Sequence, residues 1–297
     1  MPKSSRETAA DRVGCQGSYA SCQRNSITNA SFVAALPMYD WPEVQGEYDT
    51  RWKRLRDELR LLGVEAPQNL ARAHKDLPSV PDGICEPAGK VVASDPAKLP
   101  PDELDPHELW LHPALLFSQT CWGPMEFGLS DHVQVVGQAS YDGFEGGQRE
   151  LYSSAIIMRA GAGSSVEAPS DGRAIVPLGL MRGRRYTFND SHSMSGLLGL
   201  KRDLESVNET LDIFSQRNPS GSHRASIIAV AEGMADVAAI DCKSFALARR
   251  FEPAAEQVMV VGWTMQRKGL PYITSRHTSP EVTAILRDTV RKLELRA

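Results

Sequence analysis

The chain has 297 residues, 41% of them hydrophobic and 24% charged, which is a globular balance with room for two lobes of ordinary domain size. A formal net charge of −4 supplies no basic field over the whole molecule, so nucleic acid is not an expected partner and any anion must be caught locally. The five cysteines (Cys15, Cys22, Cys85, Cys121 and Cys242) are odd in number and show no C-x-x-C spacing, which argues against a disulfide framework or a thiolate zinc site.

Residues 1–30 are rich in Ser, Gln, Asn and Arg and read as a polar, disordered tail. No apolar stretch of a signal peptide follows Met1, so cytoplasmic and periplasmic locations both stay open. No run approaches the ~20 apolar residues of a membrane helix, and membrane insertion is not expected. The first strand signal is 31–36, stopped by Pro37. A helix is expected over about 47–62, where Trp52, Leu55, Leu59 and Leu62 recur at spacings of three and four before Gly63. Seven prolines crowd residues 74–106, which read as a long loop or insertion on the first lobe. Order resumes with an apolar run at 109–117, a strand at 133–136 and a buried-strand signal at 152–158.

The second half is more regular. Strand candidates at 185–188, 235–240, 258–263 and 270–275 alternate with helices starting near Ser195, Ser222 and Lys243, and Ser279-Pro280-Glu281 opens the last helix. This alternation points to an α/β protein with mostly parallel sheets.

Several strand ends carry polar clusters. In Asp190-Ser191-His192-Ser193-Met194-Ser195-Gly196 a strand gives way to a helix start, whose free amides and macrodipole suit a tetrahedral oxyanion without any lysine. Ser193 and Ser195 add hydroxyls, and Gly196 permits close backbone approach. Ser222 and His223 stand at a second helix start, Asp241 ends an apolar strand, and Tyr39 follows the first strand. Ser118, Gln119 and Thr120 add neutral hydrogen-bonding groups after the apolar run. Taken singly, each cluster is equally an ordinary cap or turn. No catalytic set emerges: Cys121 lacks an identifiable base, Ser222 and His223 are adjacent on one helix start, and no G-x-S-x-G elbow is present. The seven histidines show no metal-ligand spacing, and no cofactor or metal is expected.

In order and spacing the chain resembles the phosphate/phosphonate-binding family, the substrate-binding components of phosphonate-type ABC importers, with a type 2 periplasmic-binding-like fold. The residues that carry the resemblance are Leu36-Pro37-Met38-Tyr39-Asp40, Ser118 to Cys121, Asn189-Asp190 through Ser195-Gly196, and Gly221 to Ser226. They continue through Val230 to Asp236 and Ala239-Ile240-Asp241 to Gly269-Leu270-Pro271-Tyr272-Ile273. The resemblance implies a two-lobed fold with crossing strands, closing on its ligand like a hinge. Lobe 1 would hold 31–152, lobe 2 would hold 153–254, and 255–297 would return to lobe 1. It further implies that Ser193, the Met194 amide and Ser195 grip phosphonate oxygens, joined by His223, Tyr39 and Asp241. A small anionic ligand and an ABC permease are the implied partners. Met194 departs from the Ser or Thr common in the family, so one hydroxyl donor is missing while its amide remains. Non-catalytic binding of a phosphate- or phosphonate-like anion is therefore the expected function. A carboxylate, amino acid or heteroaromatic ligand in the same cleft, or a cytoplasmic enzyme on this fold, are the alternatives.

Overall fold

A computed structural model describes residues 31–86 and 89–294. The segment 1–30, with Cys15 and Cys22 and the expected disordered tail, lies outside the described residues. The chain enters with β1 (Val33–Ala35), turns at Pro37–Tyr39 and continues into α1 (Gln45–Leu61). Trp52, Leu55 and Leu59 form the buried face of α1, as their spacing requires, and the helix stops where Gly63 takes φ +82°.

The Pro-rich stretch is more ordered than the expected loop. It holds a two-stranded hairpin, β2 (Ile84–Cys85) and β3 (Val91–Ala93), between single helical turns at 74–76 and 96–98. Prolines cannot donate, so side chains supply the missing partners. Buried His74 bridges the Pro100 carbonyl (2.8 Å) and the Asp105 amide (2.9 Å), and buried Asp95 accepts the amides of Val80 and Ala97. Next come α2 (Pro106–Leu111), β4 (Leu115–Gln119), α3 (Trp122–Glu126) and β5 (Val133–Gln138). Short strands β6 (Gly147–Gln148) and β7 (Leu151–Tyr152) lead into β8 (Ser154–Arg159), the first strand of the second sheet.

That sheet is completed around α4 (Leu178–Met181), β9 (Arg185–Phe188), α5 (Gly199–Glu205), β10 (Gln216–Pro219), α6 (His223–Ala231), β11 (Val237–Asp241), α7 (Cys242–Phe251) and β12 (Val258–Trp263). A short β13 (Arg267–Lys268) pairs with β7, β14 (Pro271–Ser275) rejoins the first sheet, and α8 (Pro280–Glu294) ends the described chain. The two main sheets run β1-β4-β14-β5 and β10-β9-β11-β8-β12. Pairs β1–β4, β9–β10 and β9–β11 are parallel, each following the βα rhythm read in the sequence. The strands near the lobe crossings are antiparallel: β8 to β11 and β12, and β14 to β4 and β5. The sheets are therefore more mixed than expected. Because β12 belongs to the second sheet, the return to the first comes after Trp263 rather than near 255.

One apolar core packs Leu109, Leu115, Met125 and Ile273 in the first lobe, and another packs Ile156, Tyr186, Leu200 and Val237 in the second. A third runs continuously from α1 through Phe117 and Ile157 to α6 and α7, so the lobes share buried surface. Parallel strands deliver their carboxyl ends to the same side of a sheet. The ends of β1 and β4 therefore present Tyr39 and Thr120–Cys121, while the ends of β9 and β11 present 189–196 and Asp241. Among the described residues no helix is long and apolar enough to cross a membrane.

Candidate ligand-binding site

After β9 the chain makes a turn at 190–193 and enters a wide, π-type turn at Met194–Leu198 that runs on into α5. Ser193 caps it: its hydroxyl accepts the Gly196 amide (3.0 Å), and its carbonyl accepts both Leu197 (3.2 Å) and Leu198 (3.0 Å). That arrangement leaves the Met194 and Ser195 amides unused by the helix. Both lean toward the Cys121 sulfur on the other lobe, with Met194 N at 3.3 Å, and the Gly123 amide joins them. Three backbone donors thus converge on one buried point. A Cβ at 196 would sit 1.9 Å from Asn189 Oδ1, so a larger residue there must displace the Asn189 side chain. The Tyr186 hydroxyl donates to the Gly196 carbonyl and holds the turn from below.

His223, the first residue of α6, places Nε2 2.9 Å from Ser195 Oγ and 3.3 Å from Asp241 Oδ2. A carboxylate only accepts, so Nε2 carries the ring proton. Nδ1 is then a bare acceptor, and it is buried without a partner. Burial holds the His223 pKa below its usual value, against the pull of Asp241, so the ring is neutral at pH 7. Ser195, sharing the Nε2–H, keeps its own proton free to point at Ser193 Oγ (3.3 Å) or at a ligand oxygen. The serine and the carboxylate meet the same ring nitrogen, so this imidazole cannot relay a proton between them as in a hydrolytic triad.

Asp241 ends β11, is 2% exposed, and caps α7 by accepting the Ser244 amide at 2.9 Å. Its Oδ1 also accepts the Tyr39 hydroxyl at 3.1 Å. Tyr39 in turn meets the Tyr141 hydroxyl (3.0 Å), which accepts the Leu270 amide (3.0 Å). The donors therefore run in one direction, from Leu270 through Tyr141 and Tyr39 to Asp241. Burial, reinforced by the Asp241 charge, raises the pKa of both tyrosines, which stay protonated donors.

The structure brings together Tyr39, Ser193, Met194, Ser195, Gly196, His223 and Asp241. Five expected residues stand differently. Asp190 is exposed and accepts the His192 amide at 2.7 Å, closing a surface turn. Ser222 is exposed, and its hydroxyl caps α6 through Ala225 N at 3.0 Å. Ser118 and Gln119 lie within the first sheet, paired to Ile273 and Tyr272, and Gln119 Nε2 reaches the Leu270 carbonyl. Thr120 is fully buried with an unpartnered hydroxyl. Sequence reasoning missed Tyr141 and found no catalytic base for Cys121, assigning it no place in the site. Tyr141 had a signal, since it follows β5 as Tyr39 follows β1; the sulfur's placement had none.

The lobes touch around this point. A Cβ on Gly123 would lie 1.6 Å from the His192 carbonyl, Phe127 packs edge-on against His192 at 4.8 Å, and Arg202 pairs with Glu126. A groove of about 860 Å³ lies elsewhere, between α1 and α8 over Trp52, Phe117 and Tyr272. Among the described residues no group of three His, Cys, Asp or Glu is placed to hold a metal ion.

The family of phosphonate ABC transporter periplasmic substrate-binding proteins matches residues 127–296, more than half of the chain. Tyr39 and 118–120 precede the matched stretch. No curated protein matches the sequence. Among solved structures the chain is similar to PhnD1 from Prochlorococcus marinus in complex with methylphosphonate, at 14% identity and TM-score 0.58, over 91% of this chain and 87% of that one. It is also similar to a binding protein component of an ABC phosphonate transporter from Pseudomonas aeruginosa, at 15% identity and TM-score 0.55, over 87% and 74%. A Xanthomonas citri protein bound to ATP follows at 12% identity and TM-score 0.53, over 89% and 83%. At such identities the likeness speaks for the fold, and it confirms a two-lobed α/β architecture. The family match goes further: this chain belongs to the phosphonate-type substrate-binding proteins of ABC transporters.

Proposed function

We propose that this protein holds a small tetrahedral oxyanion of the phosphonate class between its lobes and releases it unchanged to an ABC permease. The observation that carries the reading is the turn at Ser193–Gly196, where the Met194 and Ser195 amides are left out of the helix ladder and the Ser195 hydroxyl meets His223 Nε2. Oriented amides and hydroxyls match an oxyanion's lone pairs and need no mobile cation. In the present arrangement these donors satisfy one another or the Cys121 sulfur, so ligand entry requires the lobes to part and the donors to exchange partners. Tyr39 and Tyr141 form the opposing wall, with Asp241 orienting Tyr39 and His223 rather than facing the anion alone. The shared Nε2 contact of Ser195 and Asp241 supports binding without turnover.

Titration calorimetry with methylphosphonate, aminoethylphosphonate, phosphate and sulfate tests this. Saturable binding of at least one tetrahedral anion, with the ligand recovered intact by phosphorus NMR, is the expected result. No heat from any of them at millimolar concentration removes the reading, and consumption of the ligand replaces it with an enzymatic one.

A further inference from the structure

Lys243 is the second residue of α7, two positions after Asp241. Its Nζ lies 4.5 Å from the centre of the Tyr39 ring, 5.5 Å from Tyr48 and 5.7 Å from Phe144. None of the ion pairs among the described residues includes it. The position is unfavourable for a cation twice over: it is largely desolvated, and it sits at the positive end of a helix dipole. An apolar side chain would fill the same aromatic cage at lower cost. Tyr39 is consequently gripped on two sides, its hydroxyl by Asp241 and its ring face by the ammonium.

We propose that Lys243 is a charge-bearing positioning residue of the anion site, fixing the Tyr39 ring and supplying from behind it the positive field that the ligand's direct contacts lack. This rests on the reading of Ser193–Gly196 as an anion site. The direct contacts are neutral apart from Asp241, which is negative, so an anion entering there meets a repulsive charge unless a cation stands nearby. The groups facing the amine are Glu47, Tyr48 and Arg51 from α1, Asp241 from the end of β11, Cys242 from its own helix, Tyr39 from the turn after β1, and Phe144 from the turn before β6. Arg51 is already engaged by Tyr272 and Glu294, and Glu47 lies 3.8 Å from Arg250. Burial, and next the Arg51 charge, lower the amine's pKa to about 8, so it is mostly protonated at neutral pH and neutral well above that.

The test is calorimetry of the full chain with methylphosphonate and sulfate between about pH 6.5 and about pH 9.5, on wild type, K243M and K243R. Ligand ionisation is common to all three proteins, so affinity ratios isolate the side chain. K243M is expected to bind about tenfold more weakly near neutral pH. That deficit vanishes above about pH 9, where the wild-type amine has lost its proton, and K243R keeps its advantage throughout because guanidinium does not titrate there. Equal affinity of K243M and wild type near neutral pH overturns the proposal. A deficit that persists unchanged at high pH also overturns it, since it would mark a packing role alone. If wild type itself takes up neither anion, the anion-site reading falls first and this inference falls with it.

Discussion

The two walls of the cleft are built by different means. On the second lobe the polar groups come from one short run, Ser193 to Gly196, joined by His223 at the head of α6 and Asp241 at the end of β11. On the first lobe they are isolated side chains, Tyr39, Cys121 and Tyr141, brought together from the ends of three strands. The local wall is held by its own caps and by close packing of Gly196 against the Asn189 side chain. The dispersed wall is held by contacts across the cleft: Tyr39 needs Asp241, and Cys121 meets the Met194 amide. On the proposed reading the second lobe carries a preformed half-site, which the first completes when the lobes meet.

Blocking that meeting should have the largest effect. Gly123→Ala puts a methyl group 1.6 Å from the His192 carbonyl, a backbone atom that cannot turn away. The lobes should stop short of contact, weakening methylphosphonate binding by roughly 100-fold or more. Small-angle scattering with saturating ligand should show an expanded molecule. Wild-type affinity in this variant would mean that the half-site on the second lobe suffices by itself.

Ser195→Ala attacks the local wall directly. It removes a hydroxyl from the nest and leaves the His223 Nε2–H with Asp241 alone. A loss of about 10-fold to 30-fold in affinity is expected by calorimetry, with little change in melting temperature. Tyr39→Phe is the matching change on the other wall. It deletes one link between Tyr141 and Asp241, whose Oδ1 still accepts the Ser244 amide. About a fivefold loss in affinity is expected, because the ring and its packing remain. If Tyr39→Phe costs more than Ser195→Ala, the comparison between the walls is reversed.

The same contrast explains what could be read in the sequence. The Ser193–Gly196 turn, the Ser222 cap and Asp241 were legible because caps are local: a polar residue between a strand pattern and a helix pattern has few other uses. Strand 258–263 and the last helix were legible for the same reason, since period and flanking residues sufficed. Asp190 and Ser222 look like ligand contacts in sequence but close turns and caps on the surface, because composition does not reveal which way a side chain faces. The Pro-rich stretch misled because its order comes from His74 and Asp95 reaching across it, partners at sequence separations of 15 to 31. The antiparallel crossings were missed likewise, since they depend on which sheet a strand joins rather than on its residues.

The smallest expected effect concerns His223, the imidazole of the local wall. Burial holds its pKa below the usual value in the folded protein. As pH falls through about 6.5 the unfolded chain takes up the proton first, so stability present above that pH is lost below it. One such group changes stability by no more than about 1.4 kcal/mol per pH unit. His112 and His277 are shifted in the same direction, so wild type alone cannot isolate the term. His223→Gln keeps an amide donor near Asp241 and removes the titration. Thermal melts of ligand-free protein between about pH 5 and about pH 8 should show a shallower acid limb in the variant than in wild type. With saturating sulfate, which stays doubly charged across that range, the difference should shrink or change sign. A bound anion beside Ser195 favours the imidazolium that the empty site disfavours. Parallel limbs with and without sulfate would place His223 outside the anion's reach and leave the second-lobe wall to the backbone amides and Ser195.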